Sequence, residues 1–157
     1  MGGESLAAGP GARTTSAPVA ALLRRPAIVV RHAVLRGLHA AGFDDVLPAH
    51  LGVFQYPGPD GVRPGVLAAR TQASKQAMNH LLHQLEVSGY LVREAHPKDR
   101  RTRVVRLTTR GWAAMDVIKD AVVQLECAWS ERLGTDTYRQ LQRALHLLEQ
   151  VLDEPVG

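Results

Sequence analysis

Residues 97–101, Pro-Lys-Asp-Arg-Arg, gather three cations around one carboxylate in a tight turn between two β-branched runs. Side chains of that type and density have one ready chemistry, contact with anionic oxygens and above all with phosphodiesters. Arg101 is the residue expected to enter the minor groove of a duplex, where the negative potential favours a guanidinium. Asp99, two residues earlier, can hold that guanidinium in a bidentate pair and set its direction. The competing reading of the pair is a hairpin-stabilising ion pair with no DNA role. Lys98 and Arg100 are expected on phosphates. Arg103 and Arg106, inside the second run, divide evenly between phosphate contact and a structural role.

A second set of groups lies upstream. Met78, Leu81, Leu82 and Leu85 fall at i, i+3, i+4 and i+7, a single apolar stripe along one helix. Its other face carries Lys75, Gln76, Asn79, His80 and His83, side chains that donate or accept hydrogen bonds. A helix fits the major groove, where base edges can be read. Ser74 is expected first as the helix N-cap and second as a phosphate contact. Lys75 and Gln76 stand at the N-terminus, where base and phosphate contacts concentrate, and Asn79 and His83 extend that face. His80 and His83 also have the i, i+3 spacing of a two-ligand metal site. No Cys, Asp or Glu close in sequence completes a set, so no metal and no cofactor is expected.

These groups need elements to hold them. The hairpin strands are expected over 90–95 and 102–107, with Tyr90 and Val92 alternating on the first and Val105 and Leu107 on the second. The reading helix ends near Ser88 with Gly89 as its stop. It follows a short helix over 64–71, with Val66, Leu67 and Ala68 facing inward, and two helices joined by a short turn give helix-turn-helix geometry. Residues 57–65 (PGPDGVRPG) are breakers that form a loop or a minimal strand. Upstream, residues 1–17 are expected to be disordered, residues 18–41 helical with an interruption at Pro26, and a shorter apolar segment follows at 46–55. Downstream, Thr108 or Thr109 caps a helix through Leu133, and Thr135 or Asp136 caps the last one. Met115, Ile118, Val122, Leu125 and Trp129 step 3-4-3-4, as do Tyr138, Leu141, Leu145, Leu148 and Leu152. Two such seams outside a small basic module favour a helical dimer interface.

At 157 residues the chain is one domain in size. Its net charge of +4 conceals an asymmetry: residues 63–110 hold ten Arg and Lys against three acids, and residues 111–157 four against eight. A basic centre beside an acidic end points to an anionic partner. No apolar run is long enough to span a bilayer, no secretory leader is expected, and the single cysteine excludes an intramolecular disulfide, so a cytoplasmic protein without a membrane partner is expected. Cys127, within an apolar helix beside Glu126, reads as buried and inert more readily than as a redox switch. Trp112, Trp129 and Tyr138 read as core or interface residues. Aromatic-lined clefts also bind small molecules, and Trp112 with Met115 and His32 is the candidate effector pocket. Nothing resembles an enzyme: there is no nucleophile elbow and no phosphate-cradling glycine loop, and Asp44–Asp45 read as surface acids.

The order of these parts resembles the MarR family of winged helix-turn-helix transcription regulators. The matching residues are Leu67–Ala68, Ser74–Lys75–Gln76, Leu85–Glu86, Gly89–Tyr90–Leu91–Val92–Arg93, Asp99–Arg100–Arg101, Leu107–Thr108 and Gly111. The resemblance implies a mainly α chain with a small β wing, and a homodimer whose first and last two helices build a dimerisation lobe. In this sequence that lobe is residues 18–42 and 111–154, and the DNA-binding lobe is 46–110, within one domain over 18–157. It further implies a pseudo-palindromic operator in double-stranded DNA, repression, and displacement by a small-molecule effector. The rival reading is a winged-helix protein–protein module that does not bind DNA. One departure is plain: Thr71 and Gln72 stand where the family usually has an apolar residue and a glycine.

Overall fold

The computed structural model describes residues 17–55, 58, 60–96 and 99–153, and for residues 99–101 and 153 the backbone alone. Among the described residues, six α-helices and one hairpin follow in the order α1 (Val19–Ala40), α2 (Leu51–Phe54), α3 (Pro64–Arg70), α4 (Lys75–Val87), β1 (Leu91–His96), β2 (Asp99–Leu107), α5 (Thr109–Leu133) and α6 (Thr135–Asp153). A 3-10 turn, Pro48–His50, leads into α2. The chain is therefore mainly α with a small β wing.

Pro26 does not break α1, which runs through it as one 22-residue helix. The helix ends at Gly42, whose φ of +84° opens a left-handed stop. There the N–H of Gly42 donates to the His39 carbonyl (3.0 Å) and that of Phe43 to Leu38 (2.9 Å), the paired bonds of a Schellman cap. α4 ends the same way: Gly89 has a φ of +77° and Tyr90 N–H donates to the Leu85 carbonyl at 2.9 Å. The turn between α3 and α4 repeats the motif without glycine. Gln72 itself takes a φ of +53°, and Ala73 N–H donates to the Ala68 carbonyl at 2.9 Å. Thr71 Oγ1 adds a bond to the Leu67 carbonyl at 2.7 Å.

The core draws on every element from α1 to the start of α5: Leu38, Val53, Phe54, Leu67, Leu82, Leu85, Tyr90 and Val105 are fully enclosed. Phe54 meets Tyr90 edge to face, with centroids 5.9 Å apart. Two inward expectations are corrected. Val66 is exposed while Leu67 and Ala68 are buried; at 100° per residue, three successive side chains cannot share one narrow face. On β1, Leu91 is buried and Val92 exposed. Tyr90 belongs to the cap of α4 and precedes the strand, so the alternation starts one residue later.

β1 and β2 pair antiparallel with Leu91 opposite Leu107 and Ala95 opposite Arg103, and the register shifts between Ala95 and His96. Val62 forms a bridge to Val105, with bonds of 3.0 and 2.8 Å; the breaker-rich segment does contain a minimal strand. Thr108 joins the wing to α5. Its hydroxyl accepts from Gly111 N–H (3.1 Å) and donates to the Gly89 carbonyl (2.6 Å).

α5 outruns the core. Its buried residues, Gly111, Ala114 and Met115, all lie in its first two turns. Farther along, Ile118, Val122, Leu125 and Trp129 are half-buried and Cys127 is exposed, which corrects the reading of a buried thiol. α1 packs along α5 and α6 folds back on α5. At the first contact Gly37 allows close approach, since a Cβ there would stand 3.3 Å from that of Ala121.

Candidate nucleic-acid interface

α4 presents two distinct faces. Met78, Leu82 and Leu85 are buried, and Lys75, Gln76, Asn79, His80 and His83 are exposed. Ser74 has extended backbone angles and its Oγ accepts from Ala77 N–H at 3.1 Å, the N-cap expected of it. The positive end of the helix dipole therefore lies beside Lys75. A cleft of about 260 Å³ opens there between the starts of α3 and α4, lined by Pro64, Gly65, Lys75 and Asn79.

The wing follows directly. Arg103 is exposed on β2. Arg106 is taken up structurally, its Nε 2.6 Å from Glu94 Oε1 across the hairpin. The backbone of residues 99–101 continues β2, while the side chains of Asp99, Arg100 and Arg101, and Pro97 and Lys98 altogether, lie outside the described residues. The pairing expected between Asp99 and Arg101 falls there.

Three polar contacts that fix this surface were not anticipated from sequence. His50 is buried beneath α4; its Nδ1 accepts from Leu47 N–H (3.1 Å), which leaves Nε2 to donate to Gln84 Oε1 at 3.0 Å. Arg93 reaches from β1 to α4, donating to the Asn79 carbonyl at 3.0 Å. The third centres on Asp45, which is no idle surface acid. Tyr90 hydroxyl donates to Asp45 Oδ1. Arg110 Nη2 stands 3.2 Å from the same oxygen, 3.0 Å from the phenol, and with its guanidinium 4.6 Å above the Tyr90 ring. Burial pushes the Asp45 carboxyl up, but the hydrogen bonds from Tyr90 and the backbone and the Arg110 charge outweigh it, and the group sits below its ordinary value. Burial, and then the bond to Asp45, push the Tyr90 phenol up. The cluster ties the loop after α1, the root of the wing and the start of α5 together. A tyrosine next to the α4 stop and an arginine in the LTTRG run were the only available signals.

Of the candidate effector residues, Met115 is buried in the core and Trp112 and His32 are exposed. The larger apolar cavity lies elsewhere. About 790 Å³ in volume, it opens between α1, α5 and α6 over Leu22, Leu23, Trp129, Leu141, Leu145 and Leu148. Among the described residues no group of three or more His, Cys, Asp or Glu is placed to hold a metal, and no helix is long and apolar enough to cross a membrane.

The MarR family model matches residues 49–102, from the turn before α2 into the wing. The transcriptional activatory protein BadR of Rhodopseudomonas palustris is 28% identical over 119 residues, which is 75% of this chain and 67% of that protein. CouR from Rhodococcus jostii, solved with p-coumaroyl-CoA, superposes with a TM-score of 0.68 at 23% identity over 88% of this chain and 94% of its own. A Mycobacterium tuberculosis MarR-family protein in complex with salicylic acid gives 0.64 at 26% identity over 87% and 99%.

Proposed function

Starting from a chain that belongs to the MarR family of winged helix-turn-helix transcription regulators, we propose that it binds double-stranded DNA sequence-specifically as a homodimer. The observation that carries this is α4: one face is locked into the core and the other offers Lys75, Gln76, Asn79 and His83 to solvent beside the wing. Set in the major groove, that face reads base edges, Ser74 and Lys75 meet phosphates, and Arg101, aimed by Asp99, enters the adjacent minor groove. Lys98, Arg100 and Arg103 add phosphate contacts.

Dimerisation is supported by the apolar groove between α1, α5 and α6, which a single chain leaves open. A second copy covering it would set two copies of α4 against a pseudo-palindromic operator. The chain acts as a repressor where that operator overlaps a promoter. Its R. palustris relative carries an activator's name, and a promoter–reporter fusion measures the sign here. The ligands named for the two solved relatives, an aromatic acyl-CoA and an aromatic acid, support an aromatic effector held between the lobes near Trp112, Met115 and His32. Work on chromosomal DNA places the protein in the cytoplasm.

The test is a gel shift of duplex DNA across a salt series. Binding should weaken steeply with salt, as counterion release requires, and Arg101→Ala should lower affinity at least about tenfold while the dimer persists. A wild-type protein that shifts no DNA at low salt overturns the proposal in favour of a protein–protein module.

A further inference from the structure

The side chain of Arg93 crosses from β1 to α4 and grips one residue twice. Nη2 donates to the Asn79 backbone carbonyl at 3.0 Å and Nη1 to Asn79 Oδ1 at 3.5 Å. Glu86 Oε2 lies 3.3 Å from Nε and holds the guanidinium from behind. A guanidinium carries donors and no acceptor. The carboxamide atom facing it is therefore the oxygen, and Nδ2 is the group left for the exposed face of the helix. Asparagine recognises adenine bidentately by accepting from N6–H₂ with its oxygen while its nitrogen donates to N7. Arg93 already engages that oxygen. That contact turns the oxygen toward the wing and leaves Nδ2, a donor, as the end of the amide that faces outward, and the major-groove edge that offers two adjacent acceptors is guanine, through N7 and O6.

We propose that Arg93 is a specificity-determining positioning residue: it holds Asn79 as a hydrogen-bond donor, so that α4 reads guanine in preference to adenine at the base Asn79 meets. This rests on the DNA-binding reading above. Arg93 touches no base in this scheme; it acts through Asn79.

The experiment selects preferred duplexes from a randomised library with the full chain, then measures competition by single-base variants of the selected site. Wild type, Asn79→Ala and Arg93→Lys are compared. Asn79 is exposed, so its truncation leaves the fold intact and identifies the base it reads as the one whose preference disappears. At that base wild type should favour guanine over adenine by about tenfold. Arg93→Lys keeps a cation beside Glu86 and loses the two-pronged grip, and should narrow the preference to about threefold or less. Adenine favoured by wild type at that base, an Asn79→Ala variant with unchanged preferences, or an Arg93→Lys variant that discriminates as wild type does would each overturn the inference while DNA binding stands. A wild-type protein that selects no duplex at low salt removes both readings at once.

Discussion

At position 111 the choice of glycine follows from one neighbouring atom. A Cβ there would stand 2.0 Å from the Tyr90 carbonyl oxygen, which is backbone and cannot swing aside. That carbonyl accepts from Thr108 N–H at 3.0 Å, so moving it would also open the joint between wing and α5. Gly111→Ala should destabilise the protein by roughly 3 kcal/mol, at the upper end of overpacking costs, read as a drop in urea midpoint without change in m. The Asp45–Tyr90–Arg110 cluster makes a prediction of a different kind. The folded value of the Asp45 carboxyl lies below the unfolded one, so its contribution is fully present above the unfolded value near ~4 and is lost as pH falls through the folded value. Between about pH 5 and pH 3 wild type should lose more stability than Asp45→Asn. Equal losses in paired urea titrations would show that the cluster contributes nothing.

At the scale of elements, three helices end in the same cap, and only one of them lacks glycine. Gln72 adopts a left-handed backbone at a cost of about 1–2 kcal/mol for an L-residue. The Schellman bonds and the hydroxyl of Thr71 hold it there. Glycine removes that steric cost and gives back roughly 0.5–1 kcal/mol in chain entropy. Gln72→Gly should therefore stabilise the chain by about 0.5–1 kcal/mol, a rise of a few degrees in melting temperature. A fall on calorimetry would mean that the Gln72 side chain itself holds the turn. α4 was legible in the sequence at this scale. Its stripe Met78, Leu82, Leu85 and its cap Ser74 are local patterns, and local patterns survive tertiary packing. Val66 and Val92 were misplaced because runs of adjacent apolar residues do not say where a helical face or a strand begins.

For the whole molecule, the acidic end and the basic centre present different surfaces. The half of α5 beyond the core and the inner face of α6 leave apolar side chains in solvent, with Leu141 42% and Leu145 38% exposed. Both line the groove against α1, and neither supports the core of the single chain. The paired change Leu141→Glu, Leu145→Glu should thus leave the helical content intact and turn the proposed dimer into a monomer by sedimentation. Operator affinity should fall by at least about a hundredfold, because two half-sites would no longer be bound as one unit. A dimer that survives this change would place the interface elsewhere.

What the sequence determined alone was carried by short spacing: the apolar stripe of α4, the glycine stops after α1 and α4 and the pairing of the two wing strands, and through them the winged helix-turn-helix. Only the tertiary structure decided which polar groups meet. His50 and Gln84 are 34 positions apart, Arg93 and Asn79 14, Arg110 and Asp45 65. No periodicity links such pairs, since they are neighbours only because the core packs the loop after α1, α4 and the wing against one another. The sequence marked the polar, exposed face of α4. The hydrogen bonds that orient that face, down to which end of the Asn79 amide points outward, were set by chain segments folding together from a distance.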